Sequence, residues 1–390
     1  MRILHVGKFF PPVAGGIEYF LADLLTAQQA LGIEAAALVH HLGPGWRFRP
    51  AEAATAPLIY RAPCWGRLFY VPLSPAFPLW LDRAIRDFAP DLLHLHLPNT
   101  SAFSVLPLPR ARRLPWVVHW HADVVASVID RRLALAYHLY RPLEQRLLRR
   151  ADAIIATSPP YLAASQALRP WRDRCVTIPL GLDRARLPPP DPASRARAEE
   201  CWGRGGARLR LLCIGRLTYY KGQEVLIEAA AHLSGVQIIL VGDGEQRARL
   251  AGQIARGGLE DRVHLAGFVP DAEVAALLAS CDLLCLPSLE RTEAFGLVLL
   301  EAMRFAKPVV VSDIAGSGAP WLVNLAQNGR LVVPGDAADL AQAIAELDAD
   351  PGRRQALGLA GASALERQFA IGPVAVAIQD LYTRVLGGKG

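Results

Sequence analysis

Sulfur is scarce in this 390-residue chain, which has two methionines and six cysteines. The cysteines stand at 64, 175, 201, 213, 281 and 285, and only Cys281-x3-Cys285 comes near a metal-type spacing, a weak signal. They read as reduced, structural thiols of a reducing compartment. No run of eighteen uninterrupted apolar residues occurs, so a membrane-spanning helix is excluded. The opening MRILHVGKFFPP is too short in apolar length for a secretory leader and has no small-x-small cleavage site. Low-complexity tracts and internal repeats are missing too. With 52% hydrophobic and 20% charged residues, the composition excludes a disordered or fibrous chain.

What is present is length enough for two or more domains. Short apolar runs alternate with helical patterns. Strands are predicted at Arg2–Val6, Ile33–Val39, Asp91–His96, Trp116–His121 and Ala153–Ala156. A second set covers Leu209–Ile214, Gln237–Val241, Arg262–Leu265, Leu283–Leu286, Pro308–Val311 and Leu331–Val333. Runs apolar on both faces suit parallel strands covered by helices, so the fold class is α/β with doubly wound parallel sheets. The apolar runs stop across a Pro-rich then Gly-rich stretch. This predicts a Rossmann-like domain over 1–185, a linker over 186–206 and a second Rossmann-like domain from 207, with ligands expected at the C-terminal ends of the strands, in a central cleft.

Several loops carry candidate chemistry. Gly15 and Gly16 follow the first strand and open a helix, where missing Cβ atoms allow backbone N–H groups to approach an anion; a plain tight turn is the alternative. The spacing is not that of a dinucleotide fingerprint. In CIGRLTYYKG, Arg216 and Lys221 flank a loop after a strand, as a diphosphate would require, or are ordinary surface cations. In PSLERTEAFGLVLLEAM, Glu293 and Glu301 lie eight residues apart, about 12 Å along a continuous helix. Ala294, Phe295 and Gly296 would then offer free N–H groups to a phosphate. His94/His96 and His119/His121 stand at strand ends. His121 fits a hydrogen-bonding role at a sugar better than a metal-ligand role, and a satisfied core histidine is the plain alternative. Asp243-x-Glu245 fits a turn and helix cap.

Positive charge is uneven. Residues 110–150 hold nine Arg against Asp123, Asp130 and Glu144. Without aromatic–basic interleaving, nucleic acid is not the expected partner. An anionic membrane surface or a phosphorylated ligand fits better. Within 131–150, Leu133, Tyr137, Tyr140 and Leu147 recur at helical spacing among six Arg, and Pro142 is expected to split the segment into two helical pieces.

In their order, PPVAGGIEYF, HLHLPN, VVHWHAD, ADAIIATSPPY, IPLGLD, GRLTYYKG, VGDG, the E-x7-E pair and GRLVVPGD resemble the retaining glycosyltransferases of family 4 (glycosyl transferases group 1) over Ile3 to about Asp380. The resemblance implies a GT-B fold, with a nucleotide-sugar-binding domain over 207–365 and a C-terminal helix within 366–390 crossing back to the first domain. It implies that Gly15 and Gly16 pack against the donor phosphate and that His121 contacts the donor sugar near C6. Arg216 and Lys221 would hold the diphosphate, Glu301 the ribose, and Glu293 with the N–H groups of Ala294, Phe295 and Gly296 the C3/C4 side of the sugar. His121, Glu293, Arg216 and Lys221 are the candidate catalytic set. No metal or other cofactor is implied. The strings His121-Ala122-Asp123 and Pro320-Trp321-Leu322-Val323-Asn324 resemble bacterial enzymes that build O-antigen or exopolysaccharide, often from GDP-mannose. The implied reaction moves a hexose from a nucleotide-diphosphate sugar to a lipid-linked saccharide, in the cytoplasm or on the inner face of its membrane. A nucleotide-sugar epimerase or hydrolase of the same fold, and a non-catalytic nucleotide-sugar-binding partner, are the alternatives.

Overall fold

A computed structural model describes residues 1–43, 57–68, 71–124, 131–203 and 207–388; side chains at 67, 68, 71 and 131–136 fall outside that description. The chain divides into two compact units, Met1–Gly181 with Ile371–Gly390, and Leu182–Ala370.

The first unit is a seven-stranded sheet with strands β1 (Arg2–Val6), β2 (Glu34–His40), β3 (Leu58–Ala62), β4 (Leu92–Leu97), β5 (Trp116–Trp120), β6 (Ala153–Ala156) and β7 (Cys175–Thr177). Its order is β3-β2-β1-β4-β5-β6-β7, every pairing parallel. The second unit holds β8 (Leu209–Ile214), β9 (Val236–Val241), β10 (Val263–Gly267), β11 (Leu283–Leu286), β12 (Val309–Ser312) and β13 (Gly329–Val332), ordered β10-β9-β8-β11-β12-β13 and again wholly parallel. The two units repeat one Rossmann-like winding, reversing direction between β1 and β4 and between β8 and β11. Such a reversal opens a crevice at the carboxyl ends of the two strands, where α/β sheets bind ligands.

Central strands are buried along their whole length, as their apolar runs require: β4, β5, β9 and β11 have no exposed residue. All eleven expected strands are present, with ends shifted by no more than two residues. Two further strands of the seven-stranded sheet had no such signal, nor did the short antiparallel pair Arg67–Leu68 and Val71–Pro72. β3 (LIYRA) carries Tyr and Arg, and β7 is a three-residue edge strand.

Three expectations need correction. The stretch 186–206 is no simple linker, because Pro192–Trp202 is a helix of the second unit. Asp191 caps it through Ser194 N–H at 2.7 Å, Pro192 starts it, and Trp202 is buried with its indole N–H on Ser280. The remainder, 204–206, lies outside the described residues. The first unit runs to Gly181 rather than 185 and resumes at Ile371, where the helix Ile371–Gly387 packs against the helix Gly16–Ala30. A Cβ on Gly181 would sit 2.9 Å from Ile371 Cα, so only glycine allows the departing and returning strands of chain to touch. Finally, Arg131–Arg150 is one helix running through Pro142, not two. Buried Glu144, Leu147 and Leu148 anchor the half beyond the proline.

Candidate functional site

In the second unit the chain leaves β8 through Gly215, Arg216 and a single turn, Tyr219–Lys221, before the helix Gln223–Ala230. Gly222 makes the turn with φ 66°, and a Cβ there would strike the Pro287 carbonyl. The glycine lets this loop close on the loop leaving β11, with Leu289 N–H donating to Tyr220 O at 2.8 Å. That contact brings Lys221 Nζ to 2.6 Å from Glu293 Oε2, which also accepts from Ser288 Oγ at 3.0 Å. A methyl group on Gly215 would lie 3.5 Å from the same Nζ, so the ammonium hangs over the end of β8. Burial alone would lower the Lys221 pKa, but the Glu293 charge and hydrogen bond, helped by Tyr220, carry it above its ordinary value. The result is a fixed cation with two donors to spare, at the crevice between β8 and β11. Arg216 is exposed beside it.

Glu293 does not stand on a helix. The helix begins at Leu297 after Gly296, which has φ 77°, so Ala294, Phe295 and Gly296 form the turn before it and the 12 Å axial estimate does not apply. Ala294 and Phe295 turn their side chains inward, Phe295 meeting Phe369 edge-on, which leaves their backbone as the part that can face a ligand. Glu301 lies within that helix, mostly buried, and accepts from Arg186 Nη2 at 3.1 Å. Asp243 makes a turn, accepting from Gly244 N–H at 2.8 Å, but does not cap the next helix, whose N-cap is Gln246.

The first unit places Gly15 at the N-cap and Gly16 at the first residue of the helix Gly16–Ala30. The Glu18 carboxylate lies over Gly15, where a Cβ would meet it. The positive end of this helix therefore already faces one negative group. His121 follows β5, is buried, and donates its backbone N–H to Leu97 O at 2.9 Å. It belongs to a cluster of five buried imidazoles: His5 on β1, His94 and His96 on β4, His119 on β5, and His121. His119 and His121 stack with centroids 4.3 Å apart and rings parallel within 1°. His5 Nδ1 meets His96 Nε2 at 3.0 Å, and His96 Nδ1 meets His121 Nε2 at 2.9 Å. Desolvation lowers the pKa of His5 to about 4 and of His121 to about 3, and holds His94, His96 and His119 well below the usual histidine range, aided by mutual repulsion among those three and their neighbours. All five are neutral at pH 7. Two trios, His5/His94/His96 and His96/His119/His121, bring ring nitrogens within 4.8 Å of one another, close enough to be considered for a cation. Both nitrogens of His5 and of His96 already hold hydrogen bonds, and no carboxylate lies in either trio to balance a cation's charge.

Two family models match: "Glycosyl transferases group 1" over residues 198–363 and "Glycosyl transferase 4-like domain" over 15–181. The Escherichia coli protein named O-antigen chain mannosyltransferase C is 30% identical over 394 residues, covering 100% of both chains. The chain belongs to the group 1 glycosyl transferases. The Pseudomonas aeruginosa D-rhamnosyltransferase WbpZ is 31% identical across 92% of this chain and 89% of its own. Among solved structures, the sucrose-phosphate synthase of Thermosynechococcus elongatus superposes with a TM-score of 0.83 at 24% identity, covering 99% of each chain, and places the fold as GT-B.

For a glycosyltransferase of this family, the structure thus gathers Lys221, Glu293 and Ser288 beside Gly215 and Arg216 in one unit, while Gly15, Gly16 and His121 stand in the other. Ser288 and Arg186 were missed. Neither carries a local signal, since each acquires its partner only through folding. On the helix Arg131–Arg150, Leu147 is buried, Tyr137 and Tyr140 are half-buried, and Arg141, Arg146 and Arg149 are exposed. Arg150 is structural, donating to Arg112 O and Leu114 O and to Asp152 at 3.2 Å while lying 4.9 Å over Trp116. Leu133, Arg131 and Arg132 lie outside the described side chains. No helix among the described residues is long and apolar enough to cross a membrane.

Proposed function

We propose that the protein is a retaining, metal-independent hexosyltransferase that moves a sugar, mannose in our reading, from GDP-mannose or a related nucleotide sugar to a lipid-linked saccharide in O-antigen or exopolysaccharide synthesis. The observation that carries this reading is the Lys221–Glu293–Ser288 cluster at the β8/β11 reversal. Departure of a nucleoside diphosphate develops negative charge, and preorganised cations in a partly dry crevice stabilise it more than mobile ones in water. Lys221 is held in place by Glu293 and keeps two N–H donors for the diphosphate, and Arg216 supplies a fork beside it. Glu301, now paired with Arg186, would take the ribose hydroxyls as Arg186 gives way or shares it. Glu293 Oε2 is committed to Lys221 and Ser288, which supports a hydrogen-bonding role toward the sugar rather than attack on its anomeric carbon. Retention then falls to same-face attack, with a donor phosphate oxygen taking the acceptor proton. The mannosyl- and rhamnosyltransferase relatives support the sugar and the O-antigen setting.

Exposed Arg141, Arg146 and Arg149, with Leu139 and Leu143 exposed on the same helix, support attachment to an anionic membrane surface where a lipid-linked acceptor resides. The test is a thermal-shift panel of nucleoside diphosphates and nucleotide sugars. A selective ligand at a hundredfold excess over its Kd stabilises by about 2.7 kcal/mol. Selective stabilisation by GDP and GDP-mannose supports the donor reading, and none by any nucleotide refutes it.

A further inference from the structure

Hydrogen bonds among the buried histidines form an unbranched chain that ends at His121. Gln28 Oε1 lies 2.8 Å from His5 Nε2, His5 Nδ1 lies 3.0 Å from His96 Nε2, and His96 Nδ1 lies 2.9 Å from His121 Nε2. Every imidazole in it is neutral, with one N–H and one bare nitrogen, so each bond dictates the direction of the next. With Gln28 Oε1 accepting from His5 Nε2–H, His5 Nδ1 must accept from His96 Nε2–H, and His96 Nδ1 from His121 Nε2–H. His121 Nδ1 is then left bare, and it is buried without a protein partner among the described residues. Reversing the Gln28 amide would reverse every bond and put a proton on His121 Nδ1 instead.

The direction is decided at the far end, by Tyr382. Its hydroxyl contacts both Gln28 Nε2, at 3.1 Å, and His94 Nδ1. The phenol O–H can donate either to His94 Nδ1 or to the Gln28 amide oxygen, and the bare imidazole nitrogen is much the more basic acceptor, so Tyr382 donates to His94 and its oxygen accepts from Gln28 Nε2, the amide orientation the structure shows. That turns Gln28 Oε1 to His5. We propose that Tyr382, Gln28, His5 and His96 are positioning residues for His121: the chain keeps the His121 proton on Nε2 and leaves Nδ1 a bare acceptor, so that a donor-sugar hydroxyl brought against His121 would have to donate to it. The sugar-facing part rests on the transferase reading above; the tautomer does not. A residue on the C-terminal helix thereby sets the chemistry of a side chain at the end of β5. A donor whose sugar has no hydroxyl at that point, such as a 6-deoxy sugar if C6 faces His121, would leave a buried acceptor unmet and be discriminated against.

The tautomer can be read directly by ¹⁵N NMR on protein labelled at histidine, with His121 assigned by its loss in His121→Asn. The proposal expects His121 Nδ1 to resonate as a bare nitrogen and Nε2 as a protonated one at pH 7.5. In Tyr382→Phe, which removes one hydroxyl from a packed ring, the two signals should move toward averaged values. A proton on Nδ1 in the wild type, or a pattern unmoved in Tyr382→Phe, overturns the chain. So does stoichiometric binding of Ni²⁺ at His121. Adding GDP-mannose should shift Nδ1, and adding GDP should not. If neither nucleotide binds, the transferase reading fails while the tautomer result stands.

Discussion

Acid should open the first unit, because five neutral imidazoles are locked in one buried cluster. Each has its folded pKa lowered, to about 4 for His5 and about 3 for His121, and well below the ordinary value for His94, His96 and His119. Below the unfolded value of about 6.5 the unfolded chain binds protons that the fold refuses, so stability falls as pH drops. Between pH 7 and pH 5 His5 and His121 each cost about 2 kcal/mol, and His94, His96 and His119 act in the same direction. Glu144 works in the opposite direction. Burial, with the Asp123 charge, pushes its carboxyl up to about 7, so the fold takes up a proton that the unfolded chain does not, which offsets about 2 kcal/mol over the same range. The balance still favours opening in acid, since His5 and His121 together outweigh Glu144 and the other three histidines add to them. Native-state hydrogen exchange of the β1, β4 and β5 amides reads this unit alone. Their opening free energy should fall steeply from pH 7 to pH 5. His119→Phe removes an imidazole with neither nitrogen partnered among the described residues, and should flatten the slope. A stability that stays level over that interval, or a slope that His119→Phe leaves unchanged, refutes the reasoning.

Other outcomes follow from the second unit and the basic helix. Lys221→Met leaves the Glu293 carboxylate buried with only Ser288, and should lower denaturant stability by about 3–5 kcal/mol; adding Glu293→Gln should recover most of that without restoring transfer. Arg216→Ala, at an exposed position, should leave stability unchanged and lower turnover by about 10²–10³. In liposome co-sedimentation, binding should require anionic lipid, weaken with salt and drop on changing Arg141, Arg146 and Arg149 to Gln, each cation contributing about 1 kcal/mol. Arg150→Gln should instead lower stability, since its guanidinium holds the Arg112 and Leu114 carbonyls.

The strand pattern was legible because parallel strands covered on both faces must be apolar throughout, and Leu- and Val-rich runs such as LLHLHL and VQIILV say so without any context. β3 and β7 were not, since a strand near a sheet edge needs no such run. The helix Pro192–Trp202 was concealed by the prolines before it, although Asp191-Pro192 is itself a helix start: an aspartate caps the free N–H groups and proline suits the first turn. At the site, chain order alone showed Arg216, Lys221 and Glu293 after their strands. It did not show that Glu293 precedes its helix, because an αL glycine at 296 was indistinguishable from a helical one. The alternation in HLHLPN and VVHWHAD put histidines on one face of a sheet, but their partners Gln28 and Tyr382 come from helices 354 residues apart, and only the fold unites them.

Sugar transfer to a lipid-linked acceptor is read by following radiolabel from GDP-[¹⁴C]mannose into a lipid-linked saccharide in the presence of EDTA. Label should appear in the organic-extractable product, with one GDP released per sugar transferred and retained anomeric configuration by NMR of the product, and all three should be lost in Lys221→Met. Free mannose released without labelled lipid, or transfer that stops in EDTA and returns with Mg²⁺ or Mn²⁺, would contradict the proposed transfer.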